Sequence, residues 1–266
     1  MDSTCSNSSA EAWFDAMAAT LSAPCRSGSH KRMTNGSPKR MTSGSPNRMR
    51  RRSSTESESS SPDNTLIIFD WDDTLLCSSA LKCASMPGVS SPGLAALEKL
   101  VLSVLQLAES LGTTAIVTNS GDGWVESSAE MYLPSLLPAL ARIPVISARE
   151  EYSDAFPGDG IQWKLQTFLE LQRLNSRKIT NVIVIGDSKD EMIAAKVLGK
   201  TWPGVVVKQV KLLQRSSLSE LIQQLRLLRG ELRRLVEGDE RRKLQMLVKP
   251  SDHDSPPLVG RVSWFS

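Results

Sequence analysis

The chain has 266 residues, of which 40% are hydrophobic and 23% are charged, a composition typical of a globular protein with one or at most two domains. Its formal net charge is +3, but nine Lys and Arg and no acidic residue lie between Arg26 and Ser54, so the rest of the chain carries −6. No apolar run approaches the roughly 18–20 residues of a membrane-spanning helix, and the N-terminus lacks the pattern of a secretory signal. We therefore expect a protein of the cytoplasm or nucleus.

Four cysteines are spread along the chain, and no two of them form a C-x-x-C pair. They are Cys5, Cys25, Cys77 and Cys83. This spacing is typical of neither a zinc site nor a disulfide framework. We expect four free thiols in a reducing compartment.

Residues 1–63 are too poor in core-forming side chains to fold, and we predict a disordered arm rich in Ser and Arg. One piece of it, AEAWFDAMAATL, has Trp13, Met17 and Leu21 at helical spacing. It fits either a transient helix or a helix that docks on a partner. The first is favoured because a short lone helix is marginal in water.

The arm also contains a repeat, KRMTNGSP and KRMTSGSP. Each unit has a Thr behind a basic pair and a Ser before a proline, which are patterns that kinases phosphorylate. The alternatives are a low-complexity linker without a role, or a basic segment for nuclear import or acidic surfaces. Nucleic-acid binding has less support, because no aromatic residue lies between Arg26 and Ser54 to stack on a base.

From Asn64 the pattern changes to alternating strands and helices. TLIIF, with its β-branched and aromatic residues, predicts a buried strand at 65–69. Pro92 behind Ser91 opens a helix whose apolar stripe ends at Gly112. The remaining predicted elements are strand 113–118, helix 123–131, strand 143–148, helix 161–174, strand 181–187, a helix to about 198, strand 204–210 and helix 217–236.

The fold class follows from the strands, most of which are continuous apolar runs. Such runs are typical of parallel strands that are covered on both faces. Their alternation with helices predicts a Rossmann-like, three-layer α/β/α domain with a central parallel sheet of about five strands. We expect this domain to span residues 64–240 and residues 241–266 to form a flexible tail.

The stretch IIFDWDDTLL places Asp70, Asp72 and Asp73 directly behind the first predicted strand. Carboxylates there repel one another and lose solvation, so they need a compensating group. Thr118 and Asp187 also lie at strand ends, and the chemistry of a parallel sheet collects at the carboxyl ends of its strands. By itself, Asp-x-Asp after a strand is as often a turn or a helix N-cap as a site.

Four motifs together resemble those of the haloacid dehalogenase-like (HAD) phosphatase superfamily, over about residues 64–236. They are DWDDT at 70–74, VTNS at 117–120, Lys164 and GDSKDE at 186–191. The first motif alone is moderately specific, but all four in order, each at a strand end or helix start, are a strong signal. The resemblance implies a Mg²⁺-dependent phosphatase that hydrolyses phosphate monoesters through an aspartyl-phosphate.

The resemblance also assigns roles. Asp70 is implied to be the nucleophile, and Asp72 to protonate the leaving oxygen and then activate the attacking water. Mg²⁺ would be held by the carboxylates of Asp70 and Asp187 and by the backbone carbonyl of Asp72. Such an ion would explain the carboxylates behind a buried strand. A haloacid dehalogenase reaction is less consistent, since it does not need the acid at Asp72.

The same resemblance implies a phosphoryl site between Thr118, whose hydroxyl donates to it, and Lys164, which neutralises its charge. Asn119 is a further substrate-binding candidate, and Thr74 is expected to brace the first loop. Lys178 is an alternative phosphate-binding lysine, although its position before a strand favours a solvated helix end.

The chain departs from the commonest family pattern at two positions. Glu191 stands where a second Asp is usual, with Asp190 one residue earlier. We favour Glu191 as the acid that orients Lys164 or reaches the metal through water, and Asp190 remains the alternative. Asp73 stands where many members have Gly, and we expect it to face solvent or cap the loop.

Three neighbouring residues have structural interpretations. Trp71 either packs in the core or forms a lip of the substrate entrance, and packing is favoured. Ser120 and Ser188 are expected to cap helices.

Many members of the superfamily insert a cap domain over the site. Here Thr74 to Ser91 leaves only a short flap, and Asn119 to Lys164 is occupied by ordinary core elements, so we expect no cap. An open site would admit a phosphorylated protein or another bulky phosphoester. The competing interpretation is a catalytically silent HAD-like scaffold that binds phosphate or regulates phosphorylated partners, although all the expected catalytic residues are present.

Overall fold

The computed structural model describes residues 64–83, 92–174, 179–202 and 204–238, and the backbone of Lys243–Leu247 and Arg261–Phe265. These residues lie within a unit that spans Glu58–Ser266. The predicted arm 1–63, with its repeat, its candidate kinase sites and its possible docking helix, lies outside the described residues.

Five parallel strands form the centre of the sheet, in the order β3-β2-β1-β4-β5. They are β1 (Thr65–Phe69), β2 (Thr113–Thr118), β3 (Val145–Ser147), β4 (Asn181–Gly186) and β5 (Val206–Lys211). β1 lies between β2 and β4 and is buried along its whole length, as its sequence predicts. The predicted α/β fold with a five-stranded parallel sheet is confirmed.

Helices flank this sheet. They are α1 (Ser78–Cys83), α2 (Pro92–Leu111), α3 (Trp124–Tyr132), α4 (Leu137–Leu140), α5 (Ala148–Tyr152), α6 (Gly160–Leu174), α7 (Lys189–Thr201) and α8 (Leu218–Glu237), with a 3-10 turn at Pro134–Leu136. α2 packs against α8, and α6 packs against α7. Gly112 follows α2 because a Cβ atom there would lie only 2.6 Å from the carbonyl oxygen of Thr65.

The predicted apolar stripe of α2 is buried in full. It consists of Leu94, Leu97, Val101, Val104, Leu105 and Ala108. This stripe joins the buried leucines of α8 in one hydrophobic core, which fixes the sheet from that face.

Two further strands, β6 (Lys243–Leu247) and β7 (Arg261–Phe265), extend the sheet beyond β5. β6 pairs parallel to β5, and β7 pairs antiparallel to β6. The structure differs here from the expected flexible tail, 241–266. The reason is that both strands pair through their backbones with a distant partner, which the local sequence does not reveal.

Cys77 is buried, Cys83 is exposed, and both are free thiols, as predicted. Cys5 and Cys25 lie outside the described residues. Among the described residues, no helix combines the length and apolar character needed to cross a bilayer.

The described connections leave the carboxyl end of the sheet without a second domain. Between β1 and β2 they contain α1 and α2, and between β2 and α6 only short elements and β3. Residues 84–91 of the expected flap lie outside the described residues. Within the described ranges, the prediction of a domain without an inserted cap agrees with the structure.

Candidate active site

Three of the predicted site residues stand at the ends of neighbouring strands. Asp70 follows β1, Thr118 ends β2 and Asp187 follows β4, and these strands are adjacent in the order β2-β1-β4. The backbone N–H of Asp70 still donates to Ile185 O of β4, at 2.9 Å. The parallel order therefore brings positions far apart in sequence to one end of the sheet, where α/β proteins bind their ligands.

Lys164, on α6, lies beside these strand ends and is fully buried. Its Nζ lies 2.6 Å from Asp70 Oδ1 and 2.9 Å from Glu191 Oε1, and it donates to Val117 O at 2.7 Å. An ammonium has three hydrogens. Each of them has an acceptor, so the ammonium of Lys164 is held in a fixed position beside Asp70.

Glu191 connects this lysine to the start of α7. Its Oε2 accepts from the backbone N–H of Ser188 at 3.1 Å and from the Ser188 hydroxyl, while Ser188 is the N-cap of the helix. This is a capping box, as the predicted capping role of Ser188 implies. Gly186 permits it, because a Cβ atom there would lie 2.9 Å from Glu191 Cγ.

Asp190, the alternative acid, points elsewhere. A Cβ atom at Gly160 would lie 2.8 Å from Asp190 Oδ2, which places this carboxylate at the start of α6. The structure thus brings Glu191 onto Lys164, in the orienting position that the sequence analysis favoured.

Thr74 lies between the two carboxylates that the resemblance assigns to a metal. Its buried hydroxyl is 3.3 Å from Asp70 Oδ2 and 3.5 Å from Asp187 Oδ1. One hydroxyl proton serves only one acceptor at a time. Thr74 therefore braces the loop, as expected. At any moment its hydroxyl donates to only one of the two carboxylates, and the other carboxylate oxygen faces the lone pairs of the Thr74 oxygen.

The electrostatics of the site are dominated by buried negative charge. Burial raises the pKa of Asp70 to about 8, and Glu191 and Asp187 add to the effect against the attraction of Lys164. Burial likewise raises the pKa of Asp187 to about 7, with further contributions from Glu191 and Asp73. The nearby lysines therefore do not offset the effects of burial and of neighbouring carboxylates on these two carboxyl groups.

Lys164 and Glu191 show the opposite balance. Burial acts to lower the pKa of Lys164, but Asp70 and Glu191 outweigh it and hold that pKa above its usual range. Burial acts to raise the pKa of Glu191, but Lys164 and the Ser188 hydroxyl outweigh it and the pKa is lowered. This pair is therefore the stable ionic part of the site.

The residues present fit a hard divalent cation. Asp70 and Asp187 supply two carboxylates of raised pKa, and no hydrogen bond between described backbone groups uses the carbonyl of Asp72. Mg²⁺ is commonly held by one or two carboxylates and keeps several waters. Among the described residues, no group of three or more His, Cys, Asp or Glu side chains forms a metal cluster.

Thr118 and Asn119, the two predicted phosphate-binding residues of the second motif, have different hydrogen-bond partners. The buried hydroxyl of Thr118 accepts from Ser120 N at 3.0 Å, which leaves its own proton free to donate. Asn119 instead donates from Nδ2 to Gly160 O at 3.2 Å, and its buried Oδ1 has no partner among the described residues. Lys178 lies outside the described residues.

The carboxylate of Asp72 contacts the segment that follows β2. Its Oδ2 accepts from the Ser120 hydroxyl at 2.7 Å, and the indole N–H of Trp124 lies 3.0 Å from Oδ1 and 3.1 Å from Oδ2. The predicted helix-capping role of Ser120 is wrong, since the N-cap of α3 is Gly123. Trp124 was not singled out by the sequence, and its only signal is an aromatic residue opening the helix after VTNS.

Trp71 and Asp73, which lie close to Asp70 in sequence, make structural contacts. Trp71 is fully buried and donates from Nε1 to Ser128 Oγ at 2.9 Å, which confirms its packing role. Asp73 does not face solvent: it is buried, has a φ of 54°, and accepts from the N–H of Ser79 at 2.9 Å at the start of α1. The expectation that it caps the loop is the one the structure supports.

The chain was also compared with known proteins. No family model, curated protein or solved structure matched it.

Proposed function

We propose that this chain is a Mg²⁺-dependent phosphatase of the HAD-like type, which hydrolyses phosphate monoesters through an aspartyl-phosphate. The observation that carries the proposal is the contact of 2.6 Å between Lys164 Nζ and Asp70 Oδ1 at the end of the central strand. Thr118 and Asp187 stand at the ends of the two flanking strands. All four motifs that carry the resemblance therefore meet at one end of the sheet.

In the first step, a carboxylate oxygen of Asp70 attacks phosphorus and the bond from phosphorus to the leaving oxygen breaks. Asp72 gives its proton to that oxygen. The Thr118 hydroxyl and the Lys164 ammonium stabilise the charge of the phosphoryl group as it transfers. The products of this step are an alcohol and an aspartyl-phosphate.

In the second step, water attacks the phosphorus of the aspartyl-phosphate while Asp72 accepts its proton. The bond to Asp70 breaks, which restores the Asp70 carboxylate and releases inorganic phosphate. The carboxylates of Asp70 and Asp187 and the carbonyl of Asp72 would hold Mg²⁺, whose charge offsets that of the phosphate and of the carboxylates.

The substrate we propose is a phosphorylated protein or another bulky phosphoester. In support, the described residues contain no inserted domain over the carboxyl end of the sheet. Asp72, Ser120 and Trp124 are each only partly buried, so the acid–base group is reached from solvent. A site of this shape does little to select a small metabolite by enclosure.

One observation favours a second candidate, a phosphate-binding or regulatory scaffold without turnover. All three hydrogens of the Lys164 ammonium already have acceptors. A phosphoryl group must replace one of those contacts before the lysine assists the reaction. A scaffold would bind phosphate analogues and release no product.

The test is hydrolysis of p-nitrophenyl phosphate by the full chain, in Mg²⁺ and in EDTA, beside Asp70→Asn. The matched control is Asp154→Asn, because Asp154 is an exposed aspartate between α5 and α6. We expect metal-dependent turnover in the wild type and the control, and a loss of more than about 1,000-fold in Asp70→Asn. Folded wild type that binds phosphate but shows no turnover in Mg²⁺ would establish the scaffold instead.

The substrate class is tested separately, with a phosphoserine peptide and a sugar phosphate at equal concentration. We expect the larger kcat/KM for the peptide. Efficient hydrolysis of the sugar phosphate without hydrolysis of the peptide would contradict the bulky-substrate proposal while leaving the phosphatase proposal intact.

A further inference from the structure

The carboxylate of Asp72 is held on both of its oxygens by residues from the segment after β2. Ser120 Oγ donates to Oδ2 at 2.7 Å, and Trp124 Nε1 lies 3.0 Å from Oδ1 and 3.1 Å from Oδ2. These donors come from 48 and 52 residues further along the chain. They therefore fix the direction of a side chain that would otherwise rotate freely at a loop.

We infer that Ser120 and Trp124 are positioning residues that orient Asp72 for its two proton transfers. The inference rests on the proposed function, in which Asp72 is the general acid and base. A proton transfer needs its donor atom within hydrogen-bond distance of the reacting oxygen, so a freely rotating carboxylate is a poor acid.

Ser120 is itself held by the strands. Its backbone N–H donates to Thr118 Oγ1 at 3.0 Å, and its carbonyl accepts from Ser147 Oγ of β3 at 2.7 Å. Its hydroxyl is then free to hold Asp72. Ser120 thus contacts both Thr118, the proposed donor to the phosphoryl group, and Asp72, the proposed acid.

Trp124 is held by the start of α3. Gly123, with a φ of 72°, forms a left-handed turn that only a glycine adopts at no cost, and Trp124 N donates to Gly121 O at 3.3 Å. Lys82 of α1 lies over the indole ring, with Nζ 5.5 Å from the ring centroid. A cation at this distance attracts the ring face and strengthens the polarity of its N–H.

The experiment uses two substrates of the same shape whose leaving groups differ, namely phenyl phosphate and p-nitrophenyl phosphate. p-Nitrophenolate leaves as a stable anion, whereas phenolate depends more on a proton from the acid. Full-length Trp124→Phe and Ser120→Ala are compared with the wild type in Mg²⁺. We expect kcat/KM to fall about tenfold more for phenyl phosphate than for p-nitrophenyl phosphate in both variants.

The matched control is Trp163→Phe. The indole N–H of Trp163 donates to Phe156 O at 2.7 Å, so this variant loses the same kind of contact outside Asp72. We expect it to keep the wild-type ratio between the substrates. A merely structural defect would lower both rates together, so an unchanged ratio in Trp124→Phe overturns the inference.

The contact itself is also measured without turnover, from the indole N–H signals of the six tryptophans in a ¹⁵N correlation spectrum. Trp124→Phe identifies the Trp124 signal. We expect Asp72→Ala to shift that signal upfield as its acceptor is lost, and no shift overturns the inference. If Asp72→Ala shifts the signal but the wild type shows no turnover in Mg²⁺, the contact is established and the proposed function is contradicted.

Discussion

Lys164 Nζ lies 2.6 Å from Asp70 Oδ1, although the two residues are 94 positions apart in sequence and both side chains are buried. The contact connects the central strand with α6. It places a permanent positive charge beside the proposed nucleophile before any substrate arrives. Removal of Lys164 leaves the buried Glu191 carboxylate without its cation, which is strongly destabilising.

Lys164→Met is expected to lower both stability and turnover. The free energy of unfolding should fall by about 3–5 kcal/mol, and turnover of the folded protein by at least about 100-fold. Urea titration and p-nitrophenyl phosphate hydrolysis measure the two effects. The control is Lys208→Met, because Lys208 is equally buried and donates to the carbonyls of Leu235 and Val236 at the end of α8.

We expect Lys208→Met to lose stability but to keep the kcat of its folded fraction. Equal kcat in the two variants would contradict the catalytic assignment of Lys164.

The stability of the metal-free protein is expected to fall as the pH rises from 6 to 8.5. The pKa of Asp70 rises on folding from 3.8 to about 8, and that of Asp187 from 3.8 to about 7. The folded state therefore binds more protons than the unfolded state across this range, and each titrating group removes at most about 1.4 kcal/mol per pH unit. Urea titrations in EDTA at several pH values measure the slope.

Mg²⁺ should flatten that slope, since a cation beside the carboxylates favours their ionised forms. Asp187→Asn should also reduce it, because one titrating group is removed. A stability in EDTA that rises with pH across this range would contradict the assigned charge balance.

Gly186→Ala is expected to displace Glu191. The new Cβ would lie 2.9 Å from Glu191 Cγ, so the carboxylate must leave either Ser188 or Lys164. We expect a loss of about 1–3 kcal/mol in unfolding free energy together with a lower kcat.

The control is Gly230→Ala in α8, where nothing lies within 4 Å of the added Cβ. This exposed helical position should gain up to about 1 kcal/mol. Normal turnover in Gly186→Ala, with stability unchanged, would show that Glu191 does not depend on this close approach.

Thr74→Val is expected to remove the hydroxyl between Asp70 and Asp187 while it keeps the size of the side chain. Loss of this donor should reduce turnover about tenfold, because the two carboxylates lose a shared hydrogen-bond donor. The control is Thr167→Val, since Thr167 is also buried and donates to Trp163 O at 3.0 Å within α6. Similar turnover in the two variants would remove Thr74 from the site.

The sequence predicts the fold well because its signals are local. The apolar run TLIIF and the stripe of α2 each require burial, and parallel pairing then brings the residues after β1, β2 and β4 together. The meeting of Asp70, Thr118 and Asp187 was therefore predictable from the strand ends alone.

The sequence does not predict the directions of side chains in the loops. Asp72 turns to Ser120 and Trp124 because of contacts across about 50 residues, which no local pattern encodes. Asp73 has a positive φ, which is uncommon for a residue other than glycine and depends on the contact with Ser79. β6 and β7 were missed because their backbone pairing begins at the outer side of β5.

The central claim is that Asp70 becomes phosphorylated during turnover, and borohydride trapping tests it most directly. The full chain is mixed with p-nitrophenyl phosphate and Mg²⁺, treated with borohydride, and digested for mass spectrometry. Borohydride reduces an aspartyl-phosphate to homoserine, so we predict homoserine at position 70 in the wild type treated with substrate. We predict none in a control sample from which the substrate is left out. Turnover that leaves Asp70 unreduced, or that places homoserine at another aspartate, would contradict the account.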